Sequence, residues 1–205
     1  MQARRPRAGW SPRLLSWVVL LSLAACTRIV TSPSPAGVAT IAVFPVDNRT
    51  GSDLYADAPP IAGFFGYATR RRVTAADLLT DELAHALVAR GFRVLPFPAA
   101  PSVTIEPPVA SAPDAARRLA DAGINAGGLY VRLRRWNPAA ASHLLYVDVM
   151  LDATLVAPDG RALWTAELPA TPIDGGGASS VALGYPEVAR RVAELVTAKL
   201  RPSAP

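Results

Sequence analysis

The residues that could do chemistry in this 205-residue chain are few and scattered. Its one cysteine, Cys26, stands directly behind Leu23, Ala24 and Ala25, and its two histidines are His85 and His143. Asp77, Asp81 and His85 recur every four residues, so on a helix they share a face and could offer metal ligands. A zinc site needs a fourth donor and outer hydrogen bonds that fix its ligands, and the other histidine, His143, falls in a hairpin loop. These residues lie opposite an apolar stripe of Leu79, Leu83 and Leu87, so they read as a solvated helix face, and no metal site is expected. No G-x-S-x-G elbow presents a serine nucleophile. The stretch "DGGGASS", Asp174 to Ser180, lacks the Gly-Lys-Ser/Thr ending of a phosphate cradle and reads as a flexible surface loop. These patterns point away from an enzyme, and none calls for a cofactor.

Cys26 gains meaning from its leader. Arg4, Arg5, Arg7 and Arg13, with no acidic residue among them, precede an apolar segment from Leu14 to Leu23 and then small residues. That is the three-part layout of a secretory signal peptide, and residues 1–25 are expected to be removed. The apolar segment is well short of the about 20 residues a permanent transmembrane helix needs.

Leu23-Ala24-Ala25-Cys26 resembles the lipobox of bacterial lipoproteins, in which the thiol is diacylated, the chain is cut just before it, and the new amino terminus is acylated. The resemblance implies membrane anchoring through a lipidated Cys26. Several acyl chains, at about 0.8 kcal/mol per buried methylene, hold a protein where one chain binds only reversibly. The residues after Arg4-Arg5 do not continue a twin-arginine motif, so general secretion is expected. In lipoproteins of this kind an aspartate directly after the cysteine commonly retains the protein in the inner membrane. Here that residue is Thr27, which implies the periplasmic leaflet of the outer membrane.

The formal net charge of +5 is largely a property of the leader. Four of the 21 basic residues lie there, leaving 17 against 16 acidic residues, a balance that argues against a nucleic-acid partner. With no cysteine beyond Cys26 there is no intramolecular disulfide, and stability must come from packing. The about 180 residues that remain are enough for one well-buried domain.

The elements that must position any site follow in order. Residues 26–39 read as the lipidated cysteine and a flexible tether rich in Ser, Pro and Ala, and residues 40–201 as one domain. "IAVFPV", Ile41 to Val46, is a strand buried on both faces, with Pro45 placing it near an end or an edge. Thr74 with Asp77 makes a capping box for a helix that stops at Gly91, and "FRVLPF", Phe92 to Phe97, is the next strand. Ser111 with Asp114 caps a shorter helix ending near Gly123. Leu129–Trp136 and Leu144–Val156 alternate with period two and form a hairpin around Asn137 to Ser142. Pro158 to Gly160 is a tight turn into a strand from Ala162 to Leu168, and Pro186 in a first turn opens the last helix. The order β-α-β-α-β-β-β-α predicts a single α/β domain with a mixed sheet of about five strands and about three flanking helices.

Three segments carry a wider resemblance: "IAVFPVDNRTG", "LAHALVARGFRVLP", and "LLYVDVMLDATLVAPDGRALW" following "GGLYVRLRRW". They resemble a group of small envelope lipoproteins that includes the curli-secretion lipoprotein family, the outer-membrane activators of peptidoglycan synthases and a neisserial vaccine-candidate lipoprotein family. The amino-terminal domain of the Tol-system propeller protein has a similar fold. The resemblance spans most of Thr40 to Leu200 and implies a fold and a compartment. The synthase activators carry long disordered tethers, whereas this tether is short.

Two surfaces are candidates for a partner. On the outward side of the hairpin stand Tyr130, Arg132, Arg134 and Trp136, facing Tyr146, Asp148 and Asp152. Pairing Trp136 with Leu144 would set Arg132 opposite Asp148 and Arg134 opposite Tyr146. Aromatics beside arginine are also what interface centres are made of. The second surface is the connection from Asp47 to Arg72, longer than the about 15 residues beyond which a loop is typically functional or disordered. It holds Phe64 and Phe65 and ends in Arg70, Arg71 and Arg72, a composition suited to a partner protein or anionic headgroups. The expected function is a lipid-anchored accessory or assembly factor of an envelope complex, with an envelope protein as partner. A homo-oligomer is compatible with that expectation. The alternatives are an auxiliary lipoprotein of an ABC-type lipid-trafficking system and, third, a periplasmic enzyme.

Overall fold

The computed structural model describes residues 30–31, 38–52, 55–56, 73–96, 107–141, 144–176 and 181–202. Among the described residues, nine strands and three helices follow in this order: β1 (Val30–Thr31), β2 (Thr40–Val43), β3 (Asp47–Asn48), β4 (Tyr55–Ala56), β5 (Val73–Thr74), α1 (Ala75–Ala89), β6 (Arg93–Pro96), α2 (Ala112–Asp121), β7 (Gly127–Ala141), β8 (Leu144–Val156), β9 (Ala162–Asp174) and α3 (Val181–Thr197).

Thr74 starts α1 as the spacing predicts. Its Oγ1 accepts from the Asp77 N–H at 3.1 Å, and the Asp77 carboxylate accepts from the Thr74 N–H at 3.0 Å. Gly91, at φ 89°, ends the turn after the helix in the left-handed region where glycine carries no Cβ penalty. Ser111 caps α2 through the Asp114 N–H. The third helix departs from expectation: it begins at Val181, and Pro186 lies inside it.

One mixed sheet runs in the order β1-β9-β8-β7-β2-β6, with β3 beside β7. β2 pairs in parallel with both β6 and β7, while β7, β8 and β9 form an antiparallel meander. A parallel neighbour requires a crossover, and α1 and α2 supply those connections. β2 is interior and buried on both faces: Ile41 and Val43 face one side, Ala42 and Phe44 the other. Pro45 sits just past its end, where no ladder donor is lost, and the chain rejoins β7 as β3.

The two faces are covered unequally. On one, Leu79, Leu83 and Leu87 of α1 and Val188, Val192 and Val196 of α3 share a large core with Leu129, Val131, Leu133, Val149, Leu151 and Trp164 of the sheet. On the other, Ala115 and Leu119 of α2 cover only Ala42, Phe44 and Val156 and their surroundings. Gly128 makes that second contact possible, and Gly127 allows a close approach on the side of the larger core. A Cβ on Gly128 would stand 2.9 Å from both Leu119 and Phe44, and one on Gly127 would stand 2.9 Å from Val38.

Three expectations are corrected by the structure. The tether is not wholly free, because Val30 and Thr31 pair antiparallel with Glu167 and Ala166 of β9. The hairpin is longer than Asn137 to Ser142 allowed, since β7 continues to Ala141 opposite Leu144. Its register also differs: Arg132 lies opposite Asp152, Trp136 opposite Val149 and Asn137 opposite Asp148.

Candidate interaction surface

The open face of the meander is built by β-strand alternation and one break in it. Val147, Val149, Leu151, Ala153 and Leu155 of β8 point into the core, so Asp148, Met150 and Asp152 point out. On β7 the same alternation holds to Leu133, where a β-bulge shifts the register between Leu133 and Arg135. Arg134 and Arg135 are consequently both exposed, and Trp136 returns to the inner face.

Trp136 is therefore a core residue, correcting its place on the expected outward surface. It is 3% exposed, and its ring meets Tyr185 of α3 edge to face, with centroids 5.4 Å apart and planes at 88°. Among the described residues its buried Nε1–H makes no hydrogen bond of good geometry, and the Tyr185 hydroxyl is the polar group beside it. Burial beside it pushes the Tyr185 hydroxyl above the ordinary phenol range.

The remaining hairpin residues divide into two groups. Tyr130 is half-buried against the α2 side, and the Arg132 guanidinium lies 5.6 Å from its ring centre while donating to the Ala110 carbonyl. These two seal the edge of the α2 layer. On the open face, Arg134 pairs with Asp152, and Arg135 pairs with Asp148 at 2.8 Å. Arg134 and Arg135 are about half exposed, so each pair adds at most about 1 kcal/mol. Tyr146, half-buried, stands opposite Ala139 on one side and Asp174 on the other. Arg135 was not among the expected surface residues. Its signal was the doubled arginine in "VRLRRW", which breaks strict alternation by one residue.

A second charged cluster ties α3 to the end of β9. Glu187 accepts from Arg190 at 2.7 and 2.9 Å and from Arg191 at 2.6 Å, and these bonds hold its carboxyl down to about 2. Arg191 also reaches Asp174 at 3.1 Å, whose carboxyl is lowered first by the Gly176 N–H and then by Arg191. At the other end of α3, Arg90 donates to the Thr197 hydroxyl at 2.9 Å and to the carbonyls of Ala198 and Glu194 at 3.2 Å, closing that helix terminus.

Asp77 is committed to the Thr74 cap, Asp81 is exposed, and His85 lines a shallow groove of about 470 Å³ between α1 and α3 with Glu82, Arg90, Arg190 and Glu194. No three metal-ligating side chains converge among the described residues. Cys26, Phe64, Phe65, Arg70, Arg71, Arg72 and His143 lie outside the described residues. No described helix is long and apolar enough to cross a membrane.

Fold and surface together define a small α/β domain whose mixed sheet carries two helices on one face and, among the described residues, leaves most of the meander uncovered on the other. No family model matches the chain, and no curated protein matches it. Among solved structures, the PelC dodecamer from Paraburkholderia phytofirmans is similar over 85% of this chain and 98% of that one, at 16% identity and a TM-score of 0.53. Lipoprotein GNA1162 from Neisseria meningitidis is similar over 77% of this chain and 97% of that one, at 17% identity and a TM-score of 0.43. Protein XCC0632 from Xanthomonas campestris, of the DUF330 family, is similar over 80% and 87%, at 16% identity and a TM-score of 0.43. At 16% identity the likeness to PelC is one of fold.

Proposed function

We propose that this chain is a lipid-anchored, non-enzymatic accessory or assembly factor of a cell-envelope complex, held at the periplasmic leaflet of the outer membrane through Cys26. The observation that carries this reading is the pairing of β1 with β9. Val30 follows Cys26 by four residues, so a cut much further downstream would remove a strand from the sheet. The folded protein thus includes the residues that follow the lipobox cysteine, as a chain matured at Cys26 would. The accessory role rests on the open meander face, where Arg134, Arg135, Asp148 and Asp152 balance in sign and Met150 lies between the ion pairs. Such a face suits a protein partner of mixed charge better than a polyanion. PelC, which shares the fold, is a dodecamer, and this supports assembly from copies of the chain as one form of that partnership.

The test is photo-cross-linking in cells from positions Met150 and Thr165 on the open face, with Asp121 at the end of α2 as control. Discrete adducts from the first two positions and none from Asp121 are expected, either with a second copy or with an outer-membrane component. Capture of an inner-membrane permease would replace this reading with a transport role. Equal labelling from all three positions would contradict a defined partner face.

A further inference from the structure

The β7–β8 hairpin outruns its neighbours. β9 accompanies β8 only as far as Tyr146 opposite Asp174, and β3 accompanies β7 only as far as Leu133. The ladder nevertheless continues to Ala140 opposite Leu145 and Ala141 opposite Leu144, rungs with no flanking strand among the described residues. A bare two-stranded ribbon is marginal in water, and proteins usually protect such edges with charge. This one does the reverse. Beyond the Arg135–Asp148 ion pair the hairpin itself carries no charge, since from Trp136 to Val147 the sequence holds no Asp, Glu, Lys or Arg, and the charge nearest its end is Asp174 of β9, opposite Tyr146 and paired with Arg191.

The amino-terminal strand shows what lies at that end. β1 is antiparallel to β9 with Val30 opposite Glu167 and Thr31 opposite Ala166, so the chain enters β1 from the Asp174 side, toward the hairpin end. Cys26 is four residues before Val30, within about 14 Å of it at full extension. The attachment point therefore reaches no further along the sheet than about the level of Thr171. Leu144 projects beyond that level by about five residues, or roughly 17 Å along the strand. Asp174 and its Arg191 partner stay at headgroup level, so the charge-free part of the overhang is the two residues from Tyr146 to Leu144, roughly 7 Å along the strand or about 5 Å of depth at a tilt of about 45°, within the about 5–10 Å to which interfacial elements enter a bilayer.

We propose that the hairpin end, Ala139 to Ala141 with Leu144 to Tyr146, is a second membrane contact that rests in the same leaflet as the Cys26 lipid. This rests on the reading of Cys26 as the lipid anchor. The domain then stands on the bilayer with its meander strands directed into it, held at two points, and the charged open face is presented sideways to a partner. The turn between β8 and β9, at Pro158 to Gly160, faces away from the membrane at the opposite end of the same strands.

Lipidation consumes the Cys26 thiol, so a cysteine introduced elsewhere is the sole free thiol of the mature protein. Full-length lipoprotein carrying Ala140→Cys, Leu145→Cys or, as control, Asp159→Cys would be labelled with an environment-sensitive fluorophore. It would then be reconstituted in phosphatidylethanolamine and phosphatidylglycerol vesicles containing lipid brominated on its acyl chains. The expected result is a blue-shifted emission at both hairpin positions, with quenching at least about twofold stronger than at Asp159→Cys. The intact mass of the same samples reports the acyl chains separately. With acyl chains present and hairpin labels quenched no more than Asp159→Cys, the membrane contact is wrong while the anchor stands. Quenching at the hairpin on a chain without acyl groups supports the contact and overturns the anchor. Quenching between labelled copies, with no effect of brominated lipid, assigns the hairpin end to a second copy of the chain and overturns the proposal.

Discussion

Trp136 separates a core role from a surface role more sharply than any other residue of the hairpin. The bulge after Leu133 turns it inward, where it is 3% exposed and meets Tyr185 edge to face. Truncating a buried tryptophan to alanine typically costs about 3–5 kcal/mol. The aromatic contact accounts for about 0.5–1.5 kcal/mol of such a loss. Against this, the buried Nε1–H makes no hydrogen bond of good geometry among the described residues, a penalty of about 1–3 kcal/mol that an apolar replacement relieves. Trp136→Ala should therefore destabilise by about 3 kcal/mol, and Trp136→Phe, which keeps a ring and deletes that N–H, by about 1 kcal/mol or less. At about 2–4 °C per kcal/mol for a domain of this size, the alanine variant should melt about 6–12 °C lower. Urea denaturation followed by far-UV circular dichroism gives both values, with an unchanged slope showing that the transition remains two-state. A midpoint for Trp136→Ala equal to that of the wild type would refute the inward placement and return Trp136 to the outer surface.

Three further outcomes follow from the packing. Gly128→Ala drives a Cβ to 2.9 Å from Leu119 and Phe44, and should destabilise by about 1–3 kcal/mol in the same urea assay, whereas Gly51→Asn, with nothing near its Cβ and a residue type that tolerates the φ of 78° there, should be milder. Thr74→Ala removes one half of the α1 capping box and should lower stability by about 1 kcal/mol, with Thr74→Ser restoring most of it. Glu187, held near about 2 in the folded chain against an ordinary value of 4.5, contributes stability that is complete above about pH 4.5 and lost as the pH falls toward about 2. Glu187→Gln should flatten that part of the urea midpoint against pH, modestly because solvent screens these half-exposed groups, and an unchanged acid limb would show that the Arg190 and Arg191 contacts contribute nothing in solution.

The elements with local signals were legible in the sequence. The Thr74 and Ser111 caps, the stops at Gly91 and Gly123, and the continuous apolar run of β2 depend on neighbouring residues and appear where they were expected. What was missed depends on partners distant in the chain. β1 has only two paired residues and forms because the β9 edge is available to Val30 and Thr31, which no local pattern in a Ser- and Pro-rich segment announces. The β7–β8 register was misread because the turn was placed five residues too early on β7: Leu144 pairs with Ala141 and not with Trp136, and the bulge between Leu133 and Arg135 changes that offset by only one residue. The length of the hairpin was hidden by Pro138 and three alanines, weak strand formers that the partner strand carries into the ladder. Pro186 was read as a first-turn residue, yet α3 begins five residues earlier, where Pro186 removes one internal hydrogen bond while Tyr185 and Val188 stay packed in the core. The surface suffered most: of the outward set, Trp136 is core, Tyr130 and Arg132 seal the α2 layer, and Arg134, Tyr146 and Asp148 remain on the open face, joined by Arg135.

The most direct test of an envelope lipoprotein anchored at Cys26 is the intact mass of the mature protein purified from its own membranes, with its amino-terminal peptide fragmented. The account predicts a chain beginning at Cys26, carrying a diacylglyceryl group on the thiol and an acyl group on the new amino terminus, and Cys26→Ser should abolish both the cleavage and the acylation. A mature chain that begins elsewhere, or that begins at Cys26 with an unmodified thiol, would contradict it.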